Sequence, residues 1–158
     1  MKIKIMSRRA IERYMEVPVN EKIAVISITD FDYEFVKLKN IPEYLHQVAF
    51  DDVDNEVIMD ELDKGATEYE RKAVECKYHM FSEEQAKAIA EFYFFVCDKV
   101  DYLICQCEHG QSRSAAVAAA ILEFRSRKGI AVFADDRYYP NKVVFRKVLK
   151  ALREHVSL

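Results

Sequence analysis

The segment Tyr102-Leu-Ile-Cys-Gln-Cys107 is an almost unbroken apolar run. A run this short and continuous marks a strand covered on both faces, and so a strand at the centre of a sheet. Residues 113–128 follow shortly after as a helix-forming stretch. Its alanines at 115, 116, 118, 119 and 120 allow a helix to pack closely on that sheet, and Gly129 is expected to end it. A strand, a short turn and a helix in this order constrain the chain to an α/β arrangement.

The rest of the chain repeats the alternation. Strands are expected at residues 3–6, 22–29 and 45–50, where β-branched and apolar residues cluster. A helix at 8–15 follows Ser7 as its cap. Ser82-Glu-Glu-Gln85 has the capping-box spacing and opens a helix to about Cys97. A last helix begins near Pro140, with Val143, Val144, Val148, Leu149 and Leu152 on its inner side. Residues 55–80 are charged and weakly periodic, and part of them is expected to be helical. The reading is an α/β fold: a central, mainly parallel sheet of four to five strands flanked by helices, in one domain spanning 1–158.

Charge and cysteine usage narrow the function. A formal net charge of −3 argues against nucleic acid as the main partner. No apolar stretch approaches the ~20 residues of a membrane span, and none follows the N-terminal basic residues as in a signal peptide, so a cytoplasmic protein is expected. Cys76, Cys97, Cys105 and Cys107 fit no zinc spacing, so no metal or other cofactor is expected and a special cysteine here is reactive rather than structural.

The segment that carries chemistry is Cys107-Glu-His-Gly-Gln-Ser-Arg-Ser114, between the central strand and its helix. A tight loop opening a helix can turn successive backbone N–H groups toward one point, as a phosphate dianion requires. Gly110 supplies the conformational freedom for such a loop. Arg113 adds a planar, permanently charged fork that meets phosphate oxygens two at a time. Cys107 faces the positive end of the helix, and that field together with the arginine favours thiolate over thiol. The competing reading makes Cys107 a core cysteine and Gly110 an ordinary turn.

Cys-x-x-Gly-x-x-Arg-Ser resembles the signature loop of the protein tyrosine phosphatase superfamily, in particular its small microbial dual-specificity branch. The likeness extends over most of the chain, through residues 23–29, 45–52, the helix from Ser82 and Tyr139-Pro-Asn. It implies hydrolysis of a phosphate monoester through a cysteinyl-phosphate, without a metal. By that resemblance Cys107 is the nucleophile, Arg113 binds phosphate and Ser114 eases departure of the thiolate. The phosphate cradle is formed by Cys107, Glu108, His109, Gly110, Gln111, Ser112 and Arg113. One position departs from the pattern: the family's usual histidine before the nucleophile is Gln106 here, which implies attenuated rather than lost activity.

The family's general acid is an aspartate on a separate loop. The candidates are Asp52, preferred from the Phe-x-Asp spacing, then Asp51 and Asp54. Neighbouring carboxylates are expected to raise one another's pKa, which suits an acid. Either as acids or as a helix cap, these residues follow the strand ending at Phe50. Among weaker candidates, Glu108 would disfavour very acidic substrates and Cys105 would be a resolving thiol or a small buried residue. Asn141 would either brace the signature loop or cap the last helix. The partner is a phosphorylated protein or a small phosphomonoester. The alternative function is a catalytically weak module that binds phosphoproteins. A sulfur-transfer loop is disfavoured by the five residues between Cys107 and Arg113.

Overall fold

A computed structural model describes residues 1–62 and 64–157. Strands β1 (Lys2–Ser7), β2 (Ile23–Thr29), β3 (Tyr44–Ala49) and β4 (Tyr102–Cys107) form one parallel sheet in the order β1-β4-β2-β3. The helices are α1 (Arg8–Tyr14), α2 (Asn55–Asp60), α3 (Glu68–Glu75), α4 (Glu83–Val96), α5 (Arg113–Ser126), α6 (Ile130–Phe133) and α7 (Lys142–Val156).

The continuous apolar character of β2 and β4 follows from burial on both faces. Ile26, Ile28, Leu103 and Cys105 point into the larger core with residues of α4, α5 and α7. Val25 and Ile104, one position out of phase, meet Ile11 and Met15 on the other side. Helix α5 is enclosed by β4, α6 and α7, and every residue from Arg113 to Ile121 is buried. Alanine at these positions lets neighbouring elements approach on all sides.

Two expected boundaries shift. Helix α5 stops at Ser126 because Arg127 takes a left-handed conformation, with φ of 56°. Gly129 therefore does not end that helix; it opens α6. A Cβ there would lie 2.6 Å from the Ala119 carbonyl oxygen, so glycine is needed for close approach rather than for a positive φ. Pro140 precedes the cap of α7 instead of lying in its first turn, since Asn141 is the capping residue. In the weakly periodic region, Asp54 caps α2, and Thr67 with Glu70 closes a capping box on α3. Those helices shield only a small cluster of Val53, Ile58 and Val74, which explains their faint apolar pattern. Among the described residues no helix is long and apolar enough to cross a membrane.

On edge strand β3, His46 stacks on Phe92, and its buried Nε2 has no hydrogen-bond partner among the described residues. Desolvation lowers its pKa from the ordinary 6.5. The unfolded chain therefore takes up this proton first as pH falls, so stability present above about pH 6.5 is lost below it. His46→Phe is expected to flatten this acid limb. It should raise stability at pH 5.5 by up to about 1 kcal/mol, the ring's partial exposure screening the rest. Urea denaturation at pH 7.5 and 5.5 measures this, and parallel pH dependences in the two proteins would contradict it.

Candidate active site

The site is built where β4 ends and α5 begins. Cys107 is the last residue of β4 and Arg113 the first of α5, joined by a five-residue loop. Gly110, at its middle, has φ of 67°. The loop is anchored from outside by its carbonyls. Glu108 O accepts from Arg8 N (3.1 Å), Gln111 O from Tyr139 N (2.8 Å) and Ser112 O from Asn141 N (3.3 Å). No backbone N–H from Glu108 to Arg113 donates to a protein acceptor among the described residues. With carbonyls turned out and N–H groups left over, the loop has the polarity of an anion cradle.

Cys107 is buried, with Sγ 3.0 Å from the hydroxyl of Ser114 in the first turn of α5. Arg113 is only 4% exposed. Its Nη1 donates to the carbonyl of Phe50 (2.7 Å) and lies 2.7 Å from Oδ1 of Asp30. Its buried Nε has no partner among the described residues. With Nη1 engaged, the Nε and Nη2 edge of the guanidinium remains, which is the edge that grips two oxygens of one anion.

The candidate acids separate by environment. Asp52 Oδ1 accepts from the Ser112 hydroxyl (2.8 Å) and from Nδ2 of Asn141 (3.0 Å), so Asp52 is tied to the signature loop itself. Asp51 accepts from the backbone N–H groups of Phe31 (3.2 Å) and His79 (2.9 Å). Desolvation opposes ionisation of Asp51, but these two bonds, with the charges of His79 and Arg113, outweigh it and lower its pKa. The expected upward shift is therefore reversed at Asp51, which suits a loop organiser better than a proton donor. Asp54 is a helix cap. Asn141 caps the last helix, one of its two expected roles, and touches the signature loop through its backbone N–H to Ser112 O (3.3 Å) rather than through its side chain. Its Oδ1 caps α7 through Val143 and Val144, while Nδ2 reaches Asp52 and the Val53 carbonyl.

Other candidates fall into place. Glu108 is paired with Arg8 at 2.6 Å, so its charge is offset rather than facing substrate alone. His109 and Gln111 are exposed. Gln106 is buried and accepts from the Ser27 hydroxyl (2.7 Å). As its neighbour on the strand, it points to the opposite face of the sheet from Cys107. Cys105 is fully buried, and desolvation, with the adjacent Cys107 charge, pushes its thiol far up. A thiol held protonated is a poor resolving group, which leaves the packing role. Cys76 and Cys97 form no disulfide.

Asp30 and Arg8 were not singled out by residue chemistry, although topology points to both. Each directly follows a strand that neighbours β4 in the sheet: β1 for Arg8, β2 for Asp30. In parallel sheets the residues just beyond the carboxyl ends of adjacent strands converge on one site. The next residue after Asp30 is Phe31, whose ring stacks on His79 at 3.5 Å.

No family model matches the chain, and no curated protein matches it by sequence. Solved structures do match. A mouse protein assigned to the dual-specificity phosphatases, solved with zinc tungstate, aligns with a TM-score of 0.53 at 19% identity, over 98% of this chain and 84% of its own. PTPMT1 aligns with a TM-score of 0.52 at 15% identity, covering 99% and 92% of the two chains. For human DUSP28 the TM-score is 0.50 at 15% identity, with 98% and 94% covered. The four-stranded parallel sheet and its flanking helices thus have the fold of these phosphatase structures.

Proposed function

We propose that the protein is a cysteine-dependent phosphatase that hydrolyses phosphate monoesters, on a phosphorylated protein or a small molecule, in the cytoplasm. The observation that carries this reading is the partnerless Nε of buried Arg113, set beside a loop whose backbone N–H groups are also unengaged. A buried donor without an acceptor costs about 1–3 kcal/mol, and a phosphate seated in the loop would satisfy it.

In the first step the Cys107 thiolate attacks phosphorus. The bond from phosphorus to the leaving oxygen breaks, and Asp52 supplies that oxygen's proton. The loop N–H groups and the Arg113 fork hold the equatorial oxygens, where charge develops. In the second step water attacks phosphorus, the S–P bond breaks and inorganic phosphate leaves. Asp52, now a carboxylate, takes the proton from water, and the Ser114 hydroxyl, 3.0 Å from Sγ, donates to the departing thiolate.

Incubation with para-nitrophenyl phosphate in the presence of chelator is expected to release nitrophenol, and orthovanadate to inhibit the release. Absence of turnover, together with tight binding of phosphopeptides, would instead establish the phosphoprotein-binding module. The acid has its own test. Asp52→Ala is expected to lower kcat by about 10²-fold on phenyl phosphate, whose leaving group needs a proton, and by much less on para-nitrophenyl phosphate. Asp51→Ala should reduce both rates by a similar factor. The reverse pattern would move the acid to Asp51.

A further inference from the structure

We propose that Asp30 is the positioning residue for Arg113: its carboxylate fixes one guanidinium nitrogen so that the opposite edge is presented to phosphate. This rests on the phosphatase reading and adds to it a residue outside the signature loop and the acid loop.

Strands β2 and β3 run parallel in a register that pairs Thr29 with Ala49. The next residue on each strand is Asp30 and Phe50, and Phe50 N donates back to the Thr29 carbonyl (3.0 Å), so the two chain ends are locked together. Both residues hold Arg113 Nη1: the Phe50 carbonyl accepts from it at 2.7 Å, and the Asp30 carboxylate is ion-paired with it at 2.7 Å. Nη1 is thus held by one hydrogen bond, to the Phe50 carbonyl, and by the charge of the Asp30 carboxylate beside it. A guanidinium is rigid and planar, so fixing Nη1 from two directions fixes the whole group. The Phe50 ring, 5.9 Å from Cζ, packs against it. What remains directed elsewhere is the edge containing the partnerless Nε.

Asp30 is the only carboxylate within ion-pair distance of Arg113 among the described residues. Asp52 bonds Ser112 and Asn141 instead, and Asp51 bonds Phe31 and His79. Asp30 is 52% exposed while Arg113 is buried, so it meets the guanidinium from the solvent side. Without it, Nη1 keeps one acceptor and the fork can rotate about its long axis. A misplacement of about 1 Å in such a group is enough to cost up to about 100-fold in rate.

The test is a kinetic cycle on the intact chain. Asp30→Ala is expected to raise KM for para-nitrophenyl phosphate, and the inhibition constant of inorganic phosphate, by about 10-fold. The factor should be the same for phenyl phosphate, because no proton transfer is lost. Asp30→Glu, which keeps the carboxylate, should recover most of the loss. In an Arg113→Lys background, where no fork exists, Asp30→Ala should add less than about twofold. A full 10-fold effect in the lysine background would overturn the assignment. So would a loss that grows with a poorer leaving group, which would make Asp30 a proton donor, or wild-type constants in Asp30→Ala. Phosphate protection of Cys107 against iodoacetamide gives a binding readout that needs no turnover. A wild-type chain that neither turns over nor is protected by phosphate removes the phosphatase reading, and this inference with it. An active wild type with an unaffected Asp30→Ala removes this inference alone.

Discussion

Cys107→Ser is expected to lower turnover of para-nitrophenyl phosphate by at least about 10⁴-fold while phosphate binding persists. The substitution exchanges sulfur for oxygen in a buried position, so the loop, Arg113 and the surrounding core keep their places. What is lost is the nucleophile. An alcohol is protonated at neutral pH, and among the described residues no imidazole or carboxylate bonds this side chain to activate it; its partner is the Ser114 hydroxyl. The cradle of loop N–H groups and the fork of Arg113 do not depend on the sulfur. Titration with phosphate, or with a non-hydrolysed phosphopeptide, should therefore give an affinity within a few-fold of wild type. Loss of rate with retained affinity separates chemistry from binding. Residual turnover above about 1% of wild type would mean that water is activated directly in the cradle, and that no phosphocysteine lies on the pathway.

Much of this site is legible in the sequence because its parts are contiguous. The apolar run of β4, the Cys-x-x-Gly-x-x-Arg-Ser segment and the alanines of α5 lie within about twenty residues, and each states its own physical requirement. Parallel order was legible for the same reason, since β2 and β4 lack the alternation that a one-sided sheet would impose. What was not legible comes from residues that meet only through the sheet. Asp30 stands 83 positions from Arg113, and Arg8 stands 100 from Glu108, in each case at the carboxyl end of a strand beside β4. Nothing local distinguishes Asp30 from Asp32, or Arg8 from Arg9. The ends of α5 and the start of α7 shifted for a further reason. Gly129 and Pro140 carry ordinary local preferences for a helix end and a helix start, but tertiary contacts assign the helix end to Arg127 and the helix start to Asn141. The two contacts of Asn141 could only be weighed as alternatives from sequence, because one residue rarely advertises that its side-chain oxygen and its backbone N–H serve two different elements.

Gly110→Ala is expected to destabilise the protein by about 2–5 kcal/mol and to cut activity by at least about 100-fold. Two effects combine. At φ of 67° alanine is held in the left-handed region, at a cost of about 1–2 kcal/mol. The added Cβ would also lie 2.6 Å from the backbone nitrogen of Ser7 and 2.7 Å from the carbonyl carbon of Met6. Neither atom can give way easily. Met6 and Ser7 end β1, which is paired in register with Gln106 and Cys107 of β4, and Ser7 caps α1. Relief must therefore come from the signature loop moving outward, away from β1, which pulls the N–H groups of residues 108–112 off a common centre. Gly65 provides the control. Its φ is 86°, and nothing lies within 4 Å of a Cβ built there, so Gly65→Ala carries the conformational cost without the collision. Denaturant melts of the two variants should differ by about 1–3 kcal/mol, the steric share. Only Gly110→Ala should raise the inhibition constant of orthovanadate. If the two variants were equally stable and equally active, the loop would be free to lift from β1 without losing its shape, and the close contact at Gly110 would play no part in holding the cradle.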